Sequence, residues 1–328
     1  MGEPAFRHGR GASVLGVENR WTRRLIVAGV VLALALAGAV VALTQVLHGS
    51  GSAVGTIASG GVVSAVVPPP PNALVLAREA GPLAVALAVQ QRPRTRLTAS
   101  VIGADGSGSS GLRVSFRIRP GNHVLPATAC GVGCYRADVP AGVKPRVVTV
   151  VLPDRTASFA LPATSRPGAA IVRRASRVFK GLSSLVYLES LRSGPKGGIL
   201  TRWSLDAPDR VAYSIRGGPQ AIVIGERRWD RDKPTGPWTR SSQIPALKVP
   251  QPTWGQVTTD ARVIGQGMVE GRPVWLVSFV NPNTPAWFTA WIDRENYRTL
   301  RLRMTAASHF MFHRYLEFDR RVPIIPPA

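Results

Sequence analysis

The sequence has few acidic residues, almost no cysteine and none of the common catalytic motifs. Its 328 residues include 41 Lys and Arg but only 18 Asp and Glu, and two cysteines. It lacks the G-x-S-x-G, H-E-x-x-H, phosphate-loop and Rossmann glycine patterns that place a nucleophile, a zinc site or a nucleotide. Together these shortages predict a protein without catalytic activity of its own.

The positive charge, +23 overall, is spread along the chain and forms no single basic run. Residues 73–165 hold 11 basic and 4 acidic side chains, and residues 166–328 hold 25 and 12. Nucleic-acid binding usually needs a basic stripe with interleaved aromatic residues inside the cell. We therefore expect no nucleic-acid partner, and consider attraction to anionic lipid headgroups the better use of this charge.

One uninterrupted apolar stretch, Leu25–Leu47, follows an N-terminal segment that contains Arg20, Arg23 and Arg24. A helix of this length rises about 34 Å, enough to cross a hydrocarbon core of about 30 Å. Arginines on one side only predict that residues 1–24 are cytoplasmic and that everything after the span is extracytoplasmic. The sequence thus predicts a retained single-pass membrane anchor, and a cleaved signal peptide is the alternative.

The rest of the chain divides by composition into a stalk, two domains and a linker. Residues 48–72 are rich in Gly, Ser and Pro and predict an extended stalk. Residues 73–162 contain six or seven short alternating apolar segments, which predict an all-β immunoglobulin-like sandwich. Residues 163–170 have the composition of a linker.

Residues 171–328 predict a second domain of a different kind. Ala169–Leu182 carries apolar residues at helical spacing, and a series of alternating strands separated by turn residues follows it. One helix followed by antiparallel strands predicts an α+β half-barrel in which the sheet wraps around the helix.

The two cysteines, Cys130 and Cys134, lie in the run ACGVGC. In an oxidising compartment a disulfide that closes this small loop is the first interpretation. A copper-binding dithiol is the alternative.

The candidate metal site is the segment His309-Phe310-Met311-Phe312-His313, with Met304 before it. On a strand, His309, Met311 and His313 project to one face and the two phenylalanines to the other. Imidazole and thioether groups suit copper, so copper is the possible cofactor. The alternative is that these side chains form an ordinary, partly exposed strand face.

A candidate ligand cavity is suggested by one charged cluster and several tryptophans. Seven of the eight tryptophans lie between residues 203 and 291. One hypothesis is that the charged run at residues 227–231, with Arg228, binds an anionic group at the mouth of a cavity. The expected lining residues are Trp229, Trp275, Trp287 and Trp291. A solvated strand end around Arg228 is the simpler alternative.

Two resemblances follow from these segments. Residues 73–162 resemble exported sandwich domains of the CopC and YtkA-like type. The resemblance rests on the segments REAGPLAVALAV, GLRVSFRI and ACGVGCYRADVP. Residues 166–328 resemble the LolA/LppX half-barrel. This resemblance rests on the segments WSLDAPDRVAYSI, GERRWDR and WIDRENYRTLRLRM. Taken together, they resemble the exported C-terminal part of bacterial CopC/CopD-type copper-resistance fusion proteins.

The combined resemblance implies an accessory or sensor protein in copper handling, with a membrane copper transporter as the candidate partner. Such fusions carry a multi-helix transporter part, whereas this chain has one convincing apolar span, so copper transport itself is not implied. The LolA/LppX resemblance alone implies the alternative, a protein that binds or carries a lipid or another apolar ligand of the cell envelope.

Overall fold

The computed structural model describes residues 67–91, 93–195, 197–252, 254, 258–281 and 285–328. These residues belong to the compact unit Ser59–Ala328. The helix that the sequence predicts at Leu25–Leu47 lies outside the described residues, as do residues 1–24 and most of the predicted stalk.

The first part of the described chain contains two facing antiparallel sheets. Its strands are β1 Leu74–Ala80, β2 Leu83–Gln90, β3 Arg96–Ile102, β4 Ser115–Arg119, β5 His123–Pro126, β6 Thr128–Gly131, β7 Cys134–Asp138, β8 Val147–Val151 and β9 Thr156–Ala160. The strand orders are β1-β2-β3-β7-β6 and β5-β4-β8-β9. Alternating apolar residues such as Val85, Leu87, Phe116 and Phe159 are buried between the two sheets, which forms the sandwich.

The second part is one antiparallel sheet of twelve strands, the large sheet. Its strands are β10 Arg166–Pro167, β11 Ser184–Arg192, β12 Ile199–Asp206, β13 Arg210–Ile215, β14 Gln220–Ile224, β15 Arg227–Arg231, β16 Thr239–Ser242, β17 Thr259–Val269, β18 Arg272–Asn281, β19 Ala286–Asp293, β20 Thr299–Ala306 and β21 His309–Phe318. They are arranged in the order β10-β17-β18-β19-β20-β21-β11-β12-β13-β14-β15-β16.

A single described helix, α1 Ala169–Lys180, packs on one face of the large sheet, which we call the helix face. Its apolar positions Val172, Ala175 and Phe179 recur at helical spacing and are buried. Arg177 and Lys180 lie in the last turn, where the helix dipole favours positive charge. The predicted helix Ala169–Leu182 is therefore confirmed within two residues.

The opposite side of the large sheet, the outer face, packs partly against the sandwich. Small side chains of β1 and β2, including Val75, Ala84 and Ala86, are buried against the aromatic residues Trp287 and Phe310. The backbone N–H of Asn72 also donates a 2.6 Å hydrogen bond to Asp260 Oδ1. The sandwich and the large sheet thus share a buried apolar contact.

The predicted fold class is wrong in two respects. First, the described chain is nearly all β, with 54% strand and 5% helix, and is not an α+β half-barrel built around a helix. The physical reason is proportion, since one helix of 12 residues packs against only part of a sheet of twelve strands.

Secondly, the predicted single-pass membrane anchor, with its cytoplasmic N-terminus and extracytoplasmic domains, is not supported. Across the described ranges, no helix is long and apolar enough to cross a membrane.

Candidate functional site

Three cross-strand rows of side chains define the candidate site on the helix face. In an antiparallel sheet, residues directly opposite each other on neighbouring strands point to the same face, and their side chains touch. The registers of β11, β12, β13, β18, β19, β20 and β21 place apolar, polar and aromatic residues in three successive rows.

The first row, the apolar row, crosses six strands. Its members are Phe279, Phe288, Met304, Met311, Leu191 and Ile199, each opposite the next. Phe279 and Phe288 stack at 5.1 Å between ring centroids and are buried, whereas Met304, Leu191 and Ile199 remain partly exposed. At about 4.8 Å between strands the row is about 24 Å long. One end of this row therefore presents apolar surface that the described chain does not fully cover.

The second row, the central row, carries a polar group in an otherwise apolar line. Its members are Val263, Val277, Ala290, Leu302, His313, Glu189, Thr201 and Ile215. His313 Nε2 lies 2.7 Å from Glu189 Oε2, and both side chains are buried. His313 Nδ1 lies 3.1 Å from the Tyr315 hydroxyl. Both ring nitrogens of His313 therefore have partners, which fixes the orientation of this imidazole.

The third row, the aromatic row, runs beside the central row. Its members are Tyr315, Tyr187, Trp203, Tyr213, Ala221 and Asp230. The Tyr187 and Trp203 rings stack at 6.0 Å, and the Trp203 and Tyr213 rings are 4.9 Å apart. Burial raises the pKa of Tyr187 well above its ordinary value, and the negative charge of Glu189 adds to this effect. Burial likewise raises the pKa of Tyr315.

The aromatic row ends on β15 at Asp230, which pairs with Arg228 on the same strand. Two guanidinium nitrogens of Arg228 donate to the two oxygens of Asp230, each at 2.7 Å. This hydrogen-bonded carboxylate raises the pKa of Arg228. Burial raises the pKa of Tyr213, whose hydroxyl lies 3.5 Å from Arg228. The pair places a fixed charged group at the edge of an aromatic surface.

Part of the helix face is covered by α1 and by the segment between β16 and β17. Phe179 of α1 meets Trp254 at 5.9 Å and Tyr315 at 5.7 Å, both edge to face. On the helix face, Thr201 Oγ1 and Trp203 Nε1 are buried and have no hydrogen-bond partner in the described part of the chain. A buried donor without a partner is costly, so these two groups are available to a bound polar group.

The residues of the predicted metal site lie on the face that the sequence suggests. His309, Met311 and His313 point to the helix face, and Met304 lies opposite Met311. His313 is committed to Glu189 and Tyr315, and His309 Nδ1 lies 3.0 Å from its neighbouring Ala307 carbonyl oxygen. In the described ranges, no three His, Cys, Asp or Glu side chains are grouped to hold a metal ion. Copper binding stays a prediction.

The residues of the predicted cavity are divided between the two faces. Arg228 lies on the helix face, and Trp275 packs at the edge of its apolar core, 5.3 Å from the Tyr297 ring. Trp229 and Trp291 alternate to the outer face, and Trp287 is buried there beneath the sandwich. The structure thus does not bring these five residues together.

The predicted Cys130–Cys134 disulfide is present in the structure. Its Cα atoms are 5.0 Å apart across the tight β6–β7 turn. Positive φ angles at Gly131 and Gly133 allow the chain to reverse within this short loop.

Sequence reasoning misses the Glu189–His313 pair and the aromatic row. The partners in the pair are 124 positions apart, so no local spacing indicates their contact. The sequence nevertheless contains one signal. Alternate residues of a strand face the same side, and this alternation places Glu189 on the buried face of β11.

Comparison with known proteins gives matches to solved structures only. No protein-family model matches the chain, and neither does any curated protein. LprF from Mycobacterium bovis is 14% identical with a TM-score of 0.36, over 49% of this chain and 97% of that one. Mycobacterium tuberculosis lipoprotein LppX is 13% identical with a TM-score of 0.37, over 48% and 97%.

A LolA superfamily protein from Nitrosomonas europaea is 10% identical with a TM-score of 0.24, over 48% of this chain and 96% of that one. The LolA/LppX part of the sequence resemblance thus has structural neighbours, whereas the CopC/CopD part has no support. At these identities and TM-scores the likeness says nothing about function.

Proposed function

We propose that the helix face of the large sheet binds an elongated apolar ligand, such as the acyl chain of a lipid, and that the protein is a lipid-binding or carrier protein. The observation that carries the proposal is the apolar row. Its residues Met304, Leu191 and Ile199 stay partly exposed beside a buried continuation of the same row. An acyl chain laid along the row gains about 0.8 kcal/mol for each methylene that it buries.

The central and aromatic rows supply the groups that would orient such a ligand. Thr201 Oγ1 and Trp203 Nε1 have no hydrogen-bond partner among the described residues, and they lie at alternate positions of β12 on the helix face. Ligand sites are mostly apolar with a few convergent polar groups that fix orientation. A lipid carbonyl or carboxylate would accept hydrogen bonds from these donors while its chain follows the apolar row.

Copper handling has no comparable support. The comparisons give copper handling no support, and the histidine with the most buried position among the described residues, His313, already has both ring nitrogens engaged. The absence of catalytic activity stays a prediction.

The proposal is tested with 11-(dansylamino)undecanoic acid, whose fluorescence rises in an apolar site. Leu191→Gln/Ile199→Gln places two amides in the partly exposed end of the apolar row. We expect the affinity of this variant for the probe to fall about tenfold or more, because each lost side chain contributes about 1.5 kcal/mol. Leu83→Gln is the matched control, since Leu83 is a partly buried apolar residue of the sandwich. Equal affinity of wild type and the double variant would refute the proposal.

A further inference from the structure

The outer face of the large sheet carries arginines in direct cross-strand register. One row, the arginine row, consists of Trp291, Arg301, Arg314, Leu188, Arg202, Ser214, Gln220 and Arg231, each opposite the next. Arg301 and Arg314 are direct partners. Like charges directly opposite each other destabilise a sheet, so the fold alone gives no reason for this pair.

Carboxylates do not balance this face. Within the described residues, Arg202 and Arg301 each have one carboxylate at 3.8 Å, Glu317 and Glu270, and Arg314 has none within ion-pair distance. The next strands add the exposed Arg227 and Arg240. On the outer face away from the sandwich, the described arginines therefore outnumber the carboxylates that pair with them.

The arginines are also crowded towards the sandwich. The pKa of Arg303 is lowered, chiefly by burial and further by the positive charges of Arg78 and Arg192, whereas the negative charge of Glu79 acts in the opposite direction.

The tryptophans of this face distinguish between two anionic partners. Guanidinium groups lie over their rings, with Arg231 at 4.4 Å from the Trp238 centroid, Arg227 at 5.7 Å from Trp229 and Arg303 at 6.0 Å from Trp291. Single-stranded nucleic acid needs free aromatic faces on which its bases stack. Tryptophan beside arginine suits a lipid interface instead, where the ring lies among headgroups and the guanidinium binds phosphate.

We infer that the outer face of strands β20, β21, β11, β12 and β15 docks on an anionic phospholipid surface. The inference goes beyond ligand binding on the helix face and stands on separate residues. Docking in this orientation puts the lipid-facing arginines and the proposed ligand face on opposite sides of one sheet.

The test compares binding of the full-length chain to phosphatidylglycerol/phosphatidylcholine vesicles and to pure phosphatidylcholine vesicles. The apolar stretch Leu25–Leu47 is common to all variants, so the ratio of the two affinities reports the charged surface. Arg202→Ser/Arg240→Ser/Arg314→Ser removes three exposed charges from the outer face. Arg113→Ser/Arg117→Ser/Arg119→Ser removes three exposed charges from the sandwich and gives the same net charge.

We expect the outer-face variant to lose roughly 100-fold in its preference for anionic vesicles, at about fivefold for each arginine. The sandwich variant should keep most of that preference, and added salt should weaken it in the wild type. If the serine variant does not fold, the corresponding triple lysine variant, which retains the charge, should bind anionic vesicles as the wild type does. Equal losses in the two serine variants would overturn the inference, and so would tight binding of single-stranded DNA that only the outer-face variant loses.

Discussion

At the residue scale, the most consequential feature is the buried Glu189–His313 pair in an apolar row. Taking two such groups out of water is expensive, and the pair is tolerated because its ring nitrogens and one carboxylate oxygen have partners at 2.7 and 3.1 Å. Removing Glu189 leaves Nε2 of the buried His313 ring without this partner, and removing His313 leaves Oε2 of the buried Glu189 without this partner.

We expect Glu189→Leu to lower the free energy of unfolding by about 3–5 kcal/mol, the usual cost of breaking a buried pair. His313→Leu should cost a similar amount. The double variant should cost clearly less than the sum, because it leaves neither the Glu189 carboxylate nor the His313 ring buried without the other. Urea unfolding of the four proteins measures the coupling. Strictly additive losses would show that the two side chains do not act as a pair.

The buried tyrosines predict a loss of stability at alkaline pH. The pKa values of Tyr187 and Tyr315 are raised in the folded protein by burial, so their neutral forms stabilise the fold. This contribution is complete below the unfolded pKa of about 10 and is lost as the pH rises above it.

The free energy of unfolding should therefore fall by about 1.4 kcal/mol per pH unit for each tyrosine above pH 10. Tyr187→Phe/Tyr315→Phe should flatten this dependence. An unchanged slope in the double variant would assign the alkaline loss to other groups.

At the element scale, helix α1 begins without the capping side chain that its sequence position would normally carry. Gly168 is the residue before the helix, and no side-chain cap is formed there. A Cβ at this position would lie 2.9 Å from Val277 Cγ1 and 3.2 Å from the backbone of β17. The close approach of helix and sheet therefore excludes the usual serine or aspartate.

Gly168→Ser should consequently destabilise the protein by about 1–3 kcal/mol, the range for overpacking, although serine is a favourable capping residue. Gly181→Ser at the other end is the matched control, since a Cβ there meets nothing closer than 3.6 Å. Thermal unfolding of both variants decides the matter. A gain in stability on Gly168→Ser would mean that the helix can move away from the sheet.

Sequence patterns predict the elements better than their arrangement. The alternation in RVAYSI is typical of a strand, and the structure has β13 there, while the helical spacing predicts α1. The sequence does not predict strand β1, LVLAREA, because five of its seven residues are apolar and show no clear alternation. The central row could not be predicted, because His313, Glu189 and Thr201 belong to three strands. Only the strand register of the folded protein places them side by side.

The proportion of sheet to helix also could not be derived from the sequence. A pattern of one helix followed by a series of strands allows either a sheet that surrounds the helix or a broad sheet that the helix only partly covers. Pairing of β11 with β21 joins the two ends of the strand series and produces the broad sheet. Such long-range pairing leaves no local signal.

At the scale of the whole molecule, the sandwich and the large sheet are joined by an apolar contact. Small side chains of the sandwich pack there against large aromatic side chains of the large sheet. Trp287 and Phe310 pack on alanine and valine side chains of β1 and β2. The ion pair Arg192–Glu79 and the 2.7 Å hydrogen bond from Ser308 Oγ to the Ala104 carbonyl oxygen flank this contact. We expect the two parts to unfold together.

Trp287→Ala should lower the free energy of unfolding by about 3–5 kcal/mol. It should also reduce hydrogen-exchange protection in both β2 and β19, because it opens the contact from both sides. Trp229→Ala, on the same face but away from the sandwich, should leave the protection of β2 unchanged. Loss of protection in β19 alone would show that the two parts are stabilised independently.

The central claim is that the helix face, and within it the partly exposed end of the apolar row, binds the chain of a lipid. Photo-crosslinking with a fatty acid that carries a diazirine near its methyl end, followed by peptide mapping, tests this claim most directly. The predicted result is labelling concentrated on β20, β21, β11 and β12 around Met304, Leu191 and Ile199, and suppressed by excess unlabelled fatty acid. Saturable labelling confined to the sandwich or to the outer face would contradict the claim.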